Sequence, residues 1–130
     1  MTDILLEQIA GLDWNEPKEV QIAAKEYVRL NIGDDLSPLM LRNLEKSQWG
    51  NAAEVLKDVE CSKLAQFTPD LLCWLKDMNW PGASEVLAIL QKFQKQELMY
   101  ALGVAISKAR DDSDEDWLEM LFLLREQLTD

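Results

Sequence analysis

The chain has 130 residues, a formal charge of −11, no histidine, and 48% apolar residues that include five tryptophans. One domain of this length buries roughly two-thirds of its unfolded surface, so the apolar content predicts a packed core and excludes disorder. The excess of acidic side chains, 24 against 13 lysines and arginines, excludes a nucleic-acid surface and an anionic membrane, both of which need cations on the protein. A basic protein partner would be attracted by the same field, and acidity that only keeps the domain dissolved is the competing explanation.

The first residues, Met1-Thr2-Asp3-Ile4-Leu5-Leu6-Glu7, carry no basic region and no long apolar core, so no secretion signal is expected. No apolar run approaches the length of a membrane span, and the chain reads as cytoplasmic. Further along, Ser37-Pro38-Leu39-Met40-Leu41 through Glu54-Val55-Leu56 overlays Thr68-Pro69-Asp70-Leu71-Leu72 through Glu85-Val86-Leu87 without a gap, at a spacing of 31 residues with eight of 20 positions identical. The template extends backwards to Leu6, Ile9, Trp14, Pro17, Glu19 and Val20 at an offset of 35. A period of this length marks stacked supersecondary units, none of which buries its apolar face alone.

Each unit reads as helix, tight turn before a tryptophan, helix. Ser37 and Thr68 are expected as N-caps, each followed by a proline at the first helical position. The second helices carry apolar residues at i, i+3, i+4 and i+7: Val20, Ala23, Ala24, Tyr27 and Val28, then Ala52, Val55, Leu56 and Val59, then Ala83, Val86, Leu87 and Leu90. A divergent fourth pair follows. Leu98, Leu102, Ala105 and Ile106 form one stripe, and Trp117, Met120, Leu121, Leu124 and Leu128 form the next, after the acidic run Asp111-Asp112-Ser113-Asp114-Glu115-Asp116. The predicted fold is a single all-α domain over residues 1–130, a right-handed α-solenoid of about eight helices in about four antiparallel hairpins.

Catalysis is not expected. Without histidine the commonest general base, triad member and zinc ligand are missing. Cys61 and Cys73 are too few for a structural metal site, have no imidazole to activate them, and form no disulfide framework. An EF-hand loop starting at Asp112 would require glycine at position 117 and glutamate at position 123, where the chain has Trp117 and Leu123. The acidic run is therefore expected to stabilise the start of the final helix. No cofactor and no metal are expected.

Two constellations remain. One exposed carboxylate per unit, Glu19, Glu54 and Glu85, precedes the valine of each core stripe, about 150° from the stripe's centre. With Asp58 one turn beyond Glu54, these form the candidate partner-binding patch, unless they are simply solvated residues kept by duplication. The second constellation is Asp77-Met78-Asn79-Trp80-Pro81. In a structural reading Asn79 caps the next helix, Pro81 fits its first turn, and Trp80 wedges between helices as Trp49 and Trp14 do.

The segment Trp74-Leu75-Lys76-Asp77-Met78-Asn79-Trp80-Pro81-Gly82-Ala83 resembles the W-L-x-D-x-N-W-P-x-A stretch of a family of small, uncharacterised bacterial proteins with HEAT-like helical repeats. The acidic approach to Asp116-Trp117 resembles that family's C-terminal end, and the similarity is strongest over residues 68–125. The resemblance implies a HEAT-like fold in a bacterial cytoplasm and no established reaction. Some members look like partners of secreted polymorphic toxins, which implies, by association, an immunity protein that covers a basic toxin. In HEAT-like stacks the second helices line the concave face, which would place Glu19, Glu54 and Glu85 in a row. A general cytoplasmic scaffold or adaptor is the alternative.

Overall fold

The computed structural model describes residues 2–128. Among them the chain forms eight α-helical segments joined by 3-10 turns, with no strand. The segments are α1 (Asp3–Ala10), α2 (Lys18–Asn31), α3 (Lys46–Leu56), α4 (Cys61–Leu64), α5 (Thr68–Cys73), α6 (Ala83–Leu90), α7 (Lys95–Asp111) and α8 (Glu115–Gln127).

The three repeated second helices pack in sequence, α2 on α3 and α3 on α6, so α3 is the central element. Their stripes supply the core where expected: Ala24 and Val28, then Ala52, Val55 and Leu56, then Ala83, Val86 and Leu90 are all buried. Tyr27, Val59 and Leu87 are half-buried, and Val20 and Ala23 are exposed at the start of α2. The last pair behaves differently. Helix α7 packs on α5 and α8, and α8 packs on the 3-10 turn Trp74–Lys76.

The first halves of the middle units depart from the sequence expectation. The stretch after Leu36 is two 3-10 turns, Ser37–Leu39 and Leu41–Asn43, separated by an extended Met40. Ser37 is not an N-cap, and its backbone N–H donates to the Asp35 carboxylate at 3.1 Å. The turns are short because α3 starts early: the Gln48 side chain accepts the Glu45 N–H at 2.8 Å, a reciprocal cap that fixes the helix start three residues before Trp49. Thr68 also lies inside its helix, where its buried hydroxyl donates to the Ala65 carbonyl at 3.1 Å.

The units are tied together by side chains that reach buried backbone. Asn51 of α3 donates to the Leu12 carbonyl at 2.7 Å and to Gln21 Oε1 at 2.9 Å, and Gln48 donates to the Ile9 carbonyl at 2.9 Å. The Leu12 carbonyl, just past the end of α1, has no other partner among the described residues, whereas the Ile9 carbonyl also accepts the Leu12 N–H at 3.1 Å. Replacing Asn51 by alanine strands the Leu12 carbonyl, so urea denaturation of Asn51→Ala should show a loss of about 1–3 kcal/mol.

Indole N–H groups make the same kind of tie. Trp74 donates to the Pro81 carbonyl at 2.9 Å, Trp117 to the Leu72 carbonyl at 2.9 Å, and Trp49 to the Leu41 carbonyl at 3.1 Å. Trp74 and Trp117 are among the largest fully buried side chains. Trp49 and Trp80 are half-buried and meet edge-on with centroids 5.2 Å apart, and Trp49 also meets Trp74 at 6.4 Å. Trp14 is 52% exposed, so the three repeat tryptophans are not equivalent wedges.

Candidate functional site

Helices α2 and α3 diverge enough to leave a cleft of 260 Å³ lined by Ile22, Lys25, Glu26, Arg29, Glu54, Val55 and Asp58. A second hollow of 260 Å³ shares Arg29 and Asp58 and continues past Leu30 and Ile32 to Glu60 and Lys63. Together they form one groove along α2. The cations in it are already paired: Lys25 Nζ lies 2.7 Å from Glu54 Oε2, Arg29 bonds Glu26, and Lys63 lies 3.5 Å from Asp34. Asp58 and Glu60 have no ion-pair partner among the described residues. Two aliphatic side chains on α2 face solvent along this groove, Ile22 at 55% and Leu30 at 71% exposure. Such a surface can take a partner segment that brings both a cation and apolar groups.

The groove unites two of the four residues expected from sequence, Glu54 and Asp58. Glu19 is exposed in the first turn of α2 and does not line it. Glu85 lies in the first turn of α6, half-buried rather than turned to water, with its carboxylate 3.3 Å from the Ser84 hydroxyl. Lys25, Arg29 and Ile22 were missed by sequence reasoning because the duplicated template drew attention to carboxylates. The i, i+4 pairs Ile22–Glu26 and Lys25–Arg29 on α2 were the available signal.

A second cleft, 440 Å³, lies where the 3-10 turn after α5 meets α8, and it is lined by Leu75, Lys76, Asp77, Met78, Asn79, Asp116, Glu119 and Met120. It brings together the two halves of the sequence signature. Two residues of the signature build a turn. Asp77 Oδ1 accepts the Asn79 N–H at 2.8 Å and the Asp77 carbonyl accepts the Trp80 N–H at 3.0 Å, closing a tight turn. Asn79 therefore does not cap α6, whose N-cap is Gly82, and Pro81 stands before the helix rather than in its first turn. Trp80 packs on Trp49. Lys76 extends over the Trp117 ring at 4.7 Å, next to Asp116. Among the described residues no group of three or more cysteine, aspartate or glutamate side chains converges to hold a metal ion.

The acidic run serves α8 as expected: Asp114 is its N-cap and accepts the Trp117 N–H at 3.1 Å, with Glu115 and Asp116 in the first turn. Both thiols are free, and burial pushes Cys61 and Cys73 above the ordinary cysteine value, away from a reactive thiolate. The two hydrogen bonds from Ser37 hold the Asp35 carboxyl below its usual range. No helix among the described residues is long and apolar enough to cross a membrane.

Residues 46–128 match the family described as Domain of unknown function (DUF5071). The chain belongs to that family. The matched span opens at the first residue of α3 and runs through α8, so α1, α2 and the two 3-10 turns lie before it. No characterised protein and no solved structure matches the chain.

Proposed function

We propose that this DUF5071 protein is a non-catalytic protein-interaction module, a right-handed solenoid of HEAT-like hairpins that holds a basic protein partner in the groove between α2 and α3. The observation that carries this reading is the groove itself: Asp58 and Glu60 lack ion-pair partners among the described residues while the cations that line it, Lys25, Arg29 and Lys63, are engaged, and exposed Ile22 and Leu30 flank them. The net charge of −11 adds long-range attraction for a basic surface. The packing of α2, α3 and α6 in order supports the solenoid description. In its specific form the proposal is a bacterial cytoplasmic immunity protein that covers the cationic cleft of a cognate toxin.

The exposed aliphatic residues favour a second reading, a general scaffold whose partner is held more by apolar burial than by charge. Affinity capture from the native host followed by mass spectrometry supplies the partner. Reversing Glu54 and Asp58 to lysine should then slow association by about tenfold or more, and raising salt should slow the wild type in the same direction. Reversal of Asp111 and Asp112 changes net charge identically and should leave most of the rate intact. If both double variants behave alike, the groove is not the site. If neither slows binding and loss of Leu30 does, the scaffold reading stands.

A further inference from the structure

Helices α5 and α7 part over a groove of 560 Å³, within the range of roughly 300–1,000 Å³ that small-molecule sites occupy. Its walls are chiefly apolar: Pro69 and Cys73 on α5, Tyr100, Ala101 and Val104 on α7, and Trp117 of α8. Ala101, Val104 and Lys108 recur at i, i+3 and i+7, which sets them on one flank of α7. Val104 is 52% exposed and Tyr100 86%, so this flank stands open to solvent while the inner stripe from Leu98 to Ala109 is buried.

The two ends of the groove differ in charge. Glu97, in the first turn of α7, lies at one end and is engaged, because its carboxylate accepts the Gln94 N–H at 2.7 Å as part of the helix cap. Lys108, in the last turn, lies at the other end and has no ion-pair partner among the described residues. Helical side chains lean towards the N-terminus of their helix, which aims Lys108 back along the groove. A second cation stands close by. Lys76 Nζ lies 4.7 Å from the centre of the Trp117 ring and also has no ion-pair partner among the described residues. Both lysines, together with Asp70, act on the Cys73 thiol in the groove wall, and Asp70 is held by Arg42 at 2.8 Å. Asp116 beside Trp117, and Asp111 and Asp112 beyond Lys108, pair with neither lysine. In a chain of net charge −11, this end of the groove keeps two cations without an ion pair.

The matching occupant is apolar along its length and anionic at one end. A peptide strand fits poorly, because its backbone N–H and C=O groups need partners that these walls scarcely offer. Gln66 and Thr68 are the uncharged polar side chains of the lining with amide or hydroxyl groups, and the Thr68 hydroxyl is already bonded to the Ala65 carbonyl. An alkyl chain makes no such demand. Glu97 and Lys108 are 11 residues apart, about 16 Å of helix, which is the reach of about a dozen alkyl carbons. We propose that the groove between α5 and α7 binds an alkyl carboxylate of that length, with its chain along Ala101 and Val104 and its carboxylate on Lys108.

Calorimetric titration of the whole chain with dodecanoate, kept below its micelle concentration, tests this. Binding should saturate at one ligand per chain. Lys108→Glu should weaken it by about tenfold or more, whereas Lys46→Glu, which alters net charge identically outside the groove, should change it little. Val104→Asp should weaken it comparably, and all three variants should keep the wild-type circular dichroism because the replaced side chains are exposed. Dodecanoate should also slow the alkylation of Cys73 by iodoacetamide several-fold and leave Cys61, outside the groove, unaffected. Absence of saturable binding overturns the inference. So does binding that leaves Cys73 unprotected, which is adsorption elsewhere, or equal weakening by Lys108→Glu and Lys46→Glu, which is net charge alone. A synthetic apolar peptide with a free C-terminal carboxylate that protects Cys73 where dodecanoate does not gives the groove to a protein segment, and overturns it too.

Discussion

Replacing Trp74 by alanine should remove about 3–5 kcal/mol of unfolding free energy, a large part of the roughly 5–15 kcal/mol available to a domain. Trp74 is fully buried, and its indole serves three elements at once. Its N–H holds the Pro81 carbonyl at 2.9 Å, which fixes the turn before α6. Its ring meets the edge of Trp49 on α3, and its 3-10 turn is the platform for α8. Truncation opens a cavity between helices that cannot close on it without breaking other contacts, and it leaves a carbonyl unpaired. Trp14→Ala supplies the comparison. That ring is 52% exposed, and its loss should stay within about 0.5 kcal/mol. Urea denaturation followed by circular dichroism reads both variants without depending on tryptophan fluorescence. Equal losses would mean that burial of the ring is not what stabilises this fold.

This contrast shows what the sequence could reveal. The repeat identified α3 and α6 and the apolar residues they bury, because a duplicated helix must keep its core stripe to pack on its neighbour. It misjudged the tryptophans for the same reason. Trp49 and Trp80 align in sequence, yet Trp49 lies within α3 while Trp80 lies in a turn, since Glu45 and Gln48 start α3 early and Gly82 starts α6 late. Trp74 aligns with Asn43 rather than with another tryptophan, so the repeat gave it no weight. Half of the expected acidic patch was legible, Glu54 and Asp58, because Glu54 stands near the end of α3 and Asp58 follows four residues later in the turn that leaves it. Their neighbours Lys25 and Arg29 come from a helix nearly thirty residues away, and only the packing of α2 on α3 sets that register.

Gly82→Ala should cost about 2–5 kcal/mol, although it adds a single methyl group. Two penalties combine at this residue. Its φ is +85°, in the left-handed region that an L side chain enters at a cost of about 1–2 kcal/mol. The added Cβ would also lie 2.7 Å from the Ala53 Cβ and 2.9 Å from the Trp49 carbonyl oxygen, forcing α3 and α6 apart at their contact. Overpacking of that kind costs about 1–3 kcal/mol, and one of the two obstacles is backbone that cannot rotate away. Gly33 isolates the first penalty, for its φ is +72° and a Cβ there would meet nothing within 4 Å. Gly33→Ala should therefore cost only about 1–2 kcal/mol. Measured side by side in urea, the difference between the two variants reports how closely α3 and α6 must approach. If they lose the same amount, the helices separate without penalty and Gly82 matters only for its backbone angle. If Gly82→Ala loses more, the close approach of α3 and α6 explains why glycine stands between Pro81 and Ala83 in the turn that joins Trp74 to α6.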